Sequence, residues 1–338
     1  MTFWVARAGK HGDNEEYALE KNVVAIGWEE VGDLSQISDK DHLQQTVMSA
    51  HPHQSSGTLN MWTGELWAFK ERMQVNDWIA LPLKSRSAIA IGQIAGAYKW
   101  VQDAPEGAKH QRKVKWTRTD IPRSQVDQDL LYSLGSSLTV FRVKRNNAEE
   151  RLSALARGIS PAPSTEGADA DAPDGEEAPI DLEQFAADQI IEYIGRKFRG
   201  HEFSRLVASV LTAEGYQVLL SPPGADGGVD IMAGSGPMGF DRPRIAVQVK
   251  SSDDPTDVRV VRELQGVMPR FGADQGLVVS WGGFKDSVLR ESRHLYFTIR
   301  LWDAGELVEA IKKNYQRLPA NIQAELPLKQ LWGLVLDE

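Results

Sequence analysis

The chain contains GADGGVDIMAGSG and, a few residues later, RIAVQVKSS. Asp230 follows two glycines, and Gln248 and Lys250 stand two apart in a strand-like run. Side chains two apart on a strand share a face. Gln248 and Lys250 are therefore expected to point one way, and Val247 and Val249 the other. Asp230 lies 18 positions before Gln248, with GSGPMGFDRPR between them as a connecting turn. If the two runs pair, a carboxylate, an amide oxygen and an ammonium meet at one end of a sheet. Gly227 and Gly228 let the backbone turn sharply just before the acid. This set suits phosphodiester hydrolysis, which needs a nucleophilic water, charge neutralisation at phosphorus and an escort for the leaving oxygen. A hard divalent cation, Mg²⁺ with Mn²⁺ as substitute, takes oxygen ligands and lowers the pKa of a water it holds. Asp230 would be the anionic ligand. Gln248 would offer its carbonyl oxygen, directly or through water. Lys250 would orient or deprotonate the attacking water and stabilise negative charge.

Glu202, in GHEFSRLVASVLTAEGY, is a fourth candidate for the metal's outer shell. It falls in the first turn of a helix predicted just before these strands, where an acid also favours the helix N-terminus for its own sake. Spacing alone leaves both readings open. Asp226 reads as a turn residue. Gln265, in VRELQG, reads as packing or as support for the site.

The elements around these residues alternate. Helical periodicity marks LEQFAADQIIEYIGRKF, HEFSRLVASVLTAEG, VRVVRELQGVMPRFG, FKDSVLRESRHL and DAGELVEAIKKNY. YQVLL, GVDIMA, IAVQVKS, GLVVS and FTIRLW read as strands. The expected C-terminal fold is α/β with a mixed central sheet, and LPLKQLWGLVLDE would add an edge strand or cover the core. The N-terminal half reads differently. FWVARAG, NVVAIGW, DWIALPL, AIAIGQIAGAY, RKVKWTR and LTVFRVK are short, β-rich runs. DKDHLQQTVMSAH and GTLNMWTGELWAFKERM read as helices. A small, partly open β-barrel with helices packed on it is expected there.

With 338 residues, 41% hydrophobic and 25% charged, the chain fits two globular domains. It has no cysteine, which excludes disulfides and thiolate metal sites. No run is long and apolar enough to span a bilayer, and the start lacks a signal-peptide core, so a cytoplasmic protein without a membrane partner is expected. The net charge of −9 looks wrong for a nucleic-acid partner until it is located. Residues 1–157 hold 20 bases against 19 acids, and residues 184–338 hold 18 against 20. Residues 158–183 hold 8 acids and no base. That segment, rich in Pro, Ala, Gly and acids, is expected to be a flexible linker. The reading is thus 1–157, a recognition domain; 158–183, a linker; 184–338, the domain carrying the chemistry.

Seven of the ten tryptophans lie within the first 116 residues. Packing accounts for most such residues, but as a group they also suit a pocket for a flat ligand, since an extruded base stacks on aromatic surfaces. The cluster KHQRKVKWTR, with Arg112, Lys113 and Lys115, would touch phosphates or form an ordinary solvated strand face. His51 and His53 have ligand-like spacing without further ligands in pattern, so a loop is the better reading.

On the ordered set GHEFSRLVASVLTAEGYQV, GADGGVDIMA, VQVKSS, VRELQGV and GLVVSWGGF, the segment 197–313 resembles the catalytic domain of Mrr-like restriction endonucleases, in the PD-(D/E)XK nuclease superfamily. The resemblance implies a restriction-endonuclease-like fold, a divalent metal and double-stranded DNA as substrate. It puts the family's functional positions on Glu202, Asp230, Gln248 and Lys250. The middle position is Gln rather than an acid, which removes one negative charge and weakens metal binding relative to an acidic version. Residues 1–145 resemble an EVE or PUA-like module, related to readers of modified bases or RNA. That likeness points to Trp28, Trp62, Trp67 and Tyr98 as a base pocket. The expectation is a modification-dependent DNA endonuclease acting against foreign DNA, dimeric because two strands need two sites. Two alternatives stand beside it: a nuclease whose N-terminal domain senses a nucleotide signal or RNA, and a non-catalytic nucleic-acid-binding factor on a nuclease scaffold.

Overall fold

The computed structural model describes residues 2–9, 11–144, 146–159, 181–224 and 227–331. The chain divides into two compact units, Met1–Asp188 and Gln189–Glu338. Most of the expected linker, 160–180, lies outside the described residues, as does Asp226. Residues 181–188 fold with the first unit. Asp181 N–H donates to the Gly135 carbonyl, and Arg123 grips Asp188 with two hydrogen bonds, both side chains buried.

In the first unit, six strands form one sheet: β1 (Phe3–Ala6), β2 (Val23–Ile26), β3 (Trp78–Pro82), β4 (Ala88–Trp100), β5 (His110–Pro122) and β6 (Val140–Val143). Their order is β2-β5-β4-β3-β1-β6, parallel only between β1 and β3. Among the described residues no pairing joins β2 to β6, so the sheet stays open, as expected of a partly open barrel. The helices are α1 (Glu15–Lys21), α2 (Lys40–Ala50), α3 (Ser56–Trp67), α4 (Gln128–Leu134) and α5 (Ala148–Ala156). Helices α2 and α3 cover one core with Leu43, Val47, Leu59 and Leu66, while α4 and α5 cover another with Leu130, Leu131 and Leu152. Asp39 and Ser55 cap α2 and α3 by accepting first-turn N–H groups.

Helix α6 (Leu182–Lys197) ends in the second unit, which adds α7 (His201–Ala213), β7 (Gln217–Leu220), β8 (Ile231–Ser235), β9 (Asp241–Lys250), α8 (Val258–Val267), β10 (Gln275–Ser280), α9 (Asp286–Ser292), β11 (Ile299–Trp302), α10 (Ala304–Asn314) and α11 (Ala320–Glu325). The sheet order is β11-β10-β9-β8-β7. β9, β10 and β11 run parallel, and β7 and β8 pair antiparallel, giving the expected mixed sheet. The tail residues 327–331 form no strand, and 332–338 lie outside the described residues.

Alternation along the strands sorts two cores. Ile231, Val247, Val249, Leu277 and Val279 pack with Phe203, Leu206, Val207 and Val210 of α7 and Leu307, Val308 and Ile311 of α10. Ala246 and Val278 face the other way, onto Val261 and Leu264 of α8 and Val288 of α9. The result is three layers, helix–sheet–helix, and each fully buried Val or Leu contributes about 1.5–3 kcal/mol. Gln248 has the parity of Ala246, so it points into the α8 layer while its valine neighbours anchor the strand in the α7 layer.

Candidate active site

The β8–β9 register sets Ile231 opposite Val247 and Met232 opposite Ala246. One step further along the same register, Asp230 comes opposite Gln248. The Asp230 N–H donates to the Val247 carbonyl at 2.9 Å, and the Asp230 Oδ2 accepts the Val249 N–H at 2.8 Å. The acid is thus tied to the backbone on both sides of Gln248. Gly227 and Gly228, with φ of +66° and +90°, make the turn that delivers it.

Gln248 is 6% exposed, and its Oε1 is buried without a hydrogen-bond partner among the described residues. A buried carbonyl oxygen left unpaired costs about 1–3 kcal/mol, so this atom is held ready for a donor or a cation. Lys250 closes β9 two residues on, half-buried, with Ser280 beside it on β10. Its Nζ makes no ion pair or hydrogen bond among the described residues. Ser280, fully buried, bonds Thr256 Oγ1 at 2.6 Å and the Gly283 carbonyl at 2.7 Å. Thr256 ends the loop that follows Lys250. A Cβ on Gly282 would meet the Asp254 carbonyl oxygen at 2.4 Å, so only glycine lets that loop lie against the end of β10. The three residues expected to meet do gather at one rim of the sheet.

Glu202 does not join them. It is exposed in the first turn of α7, and its carboxylate pairs with Arg205, which also holds Glu325. Asp230 instead lines a cleft of about 270 Å³ with Gly200, His201 and Ser204 of the α7 start, the Ser221–Gly224 segment, and Val249 and Ser251. Ser204, 6% exposed, was not anticipated. Its helical phase carries a signal: Ser204, Ala208 and Leu211 share one buried ridge at i, i+4 and i+7. Gln265 is exposed on α8.

The donor set fits a hard divalent ion: one carboxylate, one buried amide oxygen with nothing else to bind, and no thiolate. Among the described residues no cluster of three or more His, Cys, Asp or Glu side chains stands ready for a metal. One carboxylate and one neutral oxygen are a sparse set, of the kind that leaves most positions around the ion to water and phosphate.

In the first unit, Trp28 and Trp62 meet edge-on at 6.3 Å, and His51 lies edge-on to Trp62 at 5.0 Å. Trp28 sits in the left-handed region, φ +65°, where a bulky side chain is strained. Its carbonyl meets His110 Nε2, whose Nδ1 meets the Tyr98 hydroxyl at 2.9 Å. Burial pushes the Tyr98 phenol up and the His110 imidazole down, so both are neutral at pH 7. Trp28, Trp62 and Tyr98 therefore form one half-buried neighbourhood. Trp67 packs on the same core five residues beyond Trp62, so it presents another side of α3, with Lys70 over its ring. Arg112 overturns its expected role: it is 4% exposed and donates to the carbonyls of Gly96, Phe69 and Lys70. It fastens the π-helical turn Ala68–Arg72 to β5 and does not face a phosphate. Lys113 and Lys115 are exposed on the opposite face of β5. His53 is exposed, in a loop.

Residues 195–311 match a family described as restriction endonuclease, Mrr catalytic. Residues 4–142 match a family described as a domain of unknown function, DUF8426. No curated protein matches the chain. Among the solved structures that resemble it are two with a TM-score of 0.33 and 14% identity each. One is the DNA modification-dependent restriction endonuclease AspBHI, over 90% of this chain and 78% of that one. The other is the MspJI restriction endonuclease in complex with a 27-mer oligonucleotide, over 96% and 79%. The sheet that brings Asp230, Gln248 and Lys250 to one rim thus lies within the matched residues, and residues 195–311 form a restriction endonuclease domain of the Mrr catalytic family.

Proposed function

We propose that the protein is a modification-dependent DNA endonuclease that hydrolyses phosphodiester bonds with a divalent metal, Mg²⁺ or Mn²⁺ in its place, in defence against foreign DNA. The observation that carries the catalytic part is the unpaired, buried oxygen of Gln248 opposite Asp230. Asp230 and Gln248 would hold the ion. When bound, it supplies charge neutralisation at phosphorus and a lowered pKa for the attacking water. Asp230 is fixed by the Val249 N–H and so needs no rearrangement to act. Lys250 Nζ, uncommitted to protein groups among the described residues, holds the attacking water and lays positive charge beside the phosphate. The P–O bond to the leaving sugar oxygen breaks as the new P–O bond forms.

The N-terminal unit is the reader in this proposal. Trp28, Trp62 and Tyr98 offer aromatic faces to an extruded base, and Lys113 and Lys115 offer charge to the backbone. Two strands require two such sites, which favours a homodimer on DNA in the cytoplasm. The test is cleavage of modified and unmodified plasmid in Mg²⁺, with Asp230→Asn beside the native protein. Metal-dependent cutting of modified plasmid alone, lost in Asp230→Asn, is expected. Equal cutting of both plasmids would remove the reader, and no cutting of any DNA in Mg²⁺ or Mn²⁺ would remove the catalyst.

A further inference from the structure

The cleft beside Asp230 contains three serines, and their hydroxyls are not alike. Ser221 Oγ donates to the Val229 carbonyl at 2.8 Å, and Ser251 Oγ accepts the Gly200 N–H at 3.1 Å. Ser204 is 94% buried, yet its hydroxyl meets no partner among the described residues. Serines and threonines inside helices ordinarily return a hydrogen bond to the carbonyl one turn back. In this chain Thr46, Ser49, Thr63, Ser133, Ser209 and Thr212 all do so. Ser204 does not, although it lies one turn into α7 with the Gly200 carbonyl in that position.

A second property of the place is electrostatic. α7 begins at His201 and runs 13 residues, so its first turn carries the positive end of a helix dipole. Gly200, His201 and Ser204 all line the cleft that contains Asp230. A hydroxyl without a partner among the described residues, on a residue 94% buried, thus lines the cleft at the positive end of a helix beside the carboxylate.

We infer that Ser204 is a contact for a DNA phosphate, donating its hydroxyl to a non-bridging oxygen of the phosphate seated in the Asp230 cleft. The inference rests on the nuclease reading for the identity of the anion, and it puts a phosphate contact on the α7 side of Asp230, in the cleft that Val249 and Ser251 also line. A donor fixed before substrate arrives needs no reorganisation as charge builds on the phosphate oxygens. Glu202, one position from Phe203 on the opposite flank, cannot serve here, because it points to Arg205.

The test uses the full-length protein with Ser204→Ala and Ser204→Cys. Two readouts are taken: affinity for a fluorescent DNA duplex in Ca²⁺, with and without 5-methylcytosine, and single-turnover cleavage in Mg²⁺. A hydrogen bond to a charged group makes Ser204→Ala bind or cut about tenfold or more below the native protein. Ser204→Cys refills the volume but donates weakly. It therefore stays close to Ser204→Ala if the hydrogen bond matters, and returns to native behaviour if only packing does. The melting temperature of Ser204→Ala should not fall, because no protein bond is lost. Native affinity and cutting in Ser204→Ala overturn the inference while the nuclease reading stands. So does full recovery in Ser204→Cys. If the native protein cuts nothing, the nuclease reading fails, and duplex affinity alone then decides Ser204: weakened binding in Ser204→Ala supports it, unchanged binding overturns it.

Discussion

Replacing Gln248 by Met should make the protein more stable and stop it cutting. Gln248 is 6% exposed and its Oε1 has no partner among the described residues. An unpaired buried oxygen of this kind costs about 1–3 kcal/mol. Met has nearly the same shape and carries no oxygen, so most of that cost is returned without opening a cavity. For a unit the size of Gln189–Glu338, each kcal/mol moves the melting temperature by about 2–4 °C. The expected rise is therefore about 2–12 °C, read by scanning calorimetry in metal-free buffer. Mg²⁺ should then reverse part of the difference. The native protein gains about 2.7 kcal/mol at a hundred times its dissociation constant, whereas the Met variant has lost one of its two protein oxygens and gains less. Cleavage of plasmid should fall below detection. A Met variant that melts several degrees lower without metal would refute the reasoning, because Gln248 would then have a partner in the native fold. A variant that is more stable yet still cuts at the native rate would show that the oxygen is an unrelieved defect rather than a ligand.

Lys250→Ala should lower single-turnover cleavage by about 10²–10⁴-fold while duplex affinity in Ca²⁺ changes far less; equal losses in both would make Lys250 a binding residue instead. Trp62→Ala, which removes the ring that meets Trp28 and His51, should erase the preference for modified over plain duplex in fluorescence binding and leave plain-duplex affinity nearly unchanged. Arg112→Met should destabilise the first unit, since it strips the carbonyls of Phe69, Lys70 and Gly96 of their donor, whereas Lys113→Ala and Lys115→Ala should keep the melting temperature and flatten the salt dependence of DNA binding. Glu306 gives a pH signature. Burial first, and then Asp303, push its carboxyl up to about 7. The native state therefore holds this proton more tightly than the unfolded chain does, so the contribution of Glu306 to stability is fully present below about pH 4.5 and is lost as pH rises through about 7. Glu306 is nonetheless exposed at the surface, so solvent screening keeps the loss well below what the full shift would give, at about 1 kcal/mol or less. Chemical denaturation across that range should show the slope, and Glu306→Gln should remove it.

The rim of the second sheet was legible because strand parity is a local property. Gln248 and Lys250 alternate with Val247 and Val249, and only one pairing with GGVD brings Asp230 across from them. Helix phase was equally present in the letters but was passed over at α7. Phe203, Leu206, Val207 and Val210 define the buried ridge, and they turn Glu202 outward and Ser204 inward. Charge outweighed phase in that expectation. The same happened at β5, where Arg112 has the parity of buried Val114 and the exposed lysines have the other. Loop contacts were not legible at all. The fit of Gly282 against Asp253 and Asp254, or the bond of Ser280 to Thr256, depends on elements far apart in sequence that meet only after the sheet has formed. In the N-terminal half the strands followed their β-branched runs, while the family likeness proposed for them was not matched.

Asp230 has two employments at once. The oxygen that takes the Val249 N–H is a rung between neighbouring strands, so the residue expected to handle the ion also helps keep β9 in register. Deleting the side chain would loosen the ladder as well as the chemistry, and an inert Asp230→Ala protein would therefore be ambiguous evidence. Asparagine keeps an acceptor for the rung and discards the charge, which isolates the one from the other. Lys250, whose Nζ bonds no group among the described residues, can be truncated without that confusion.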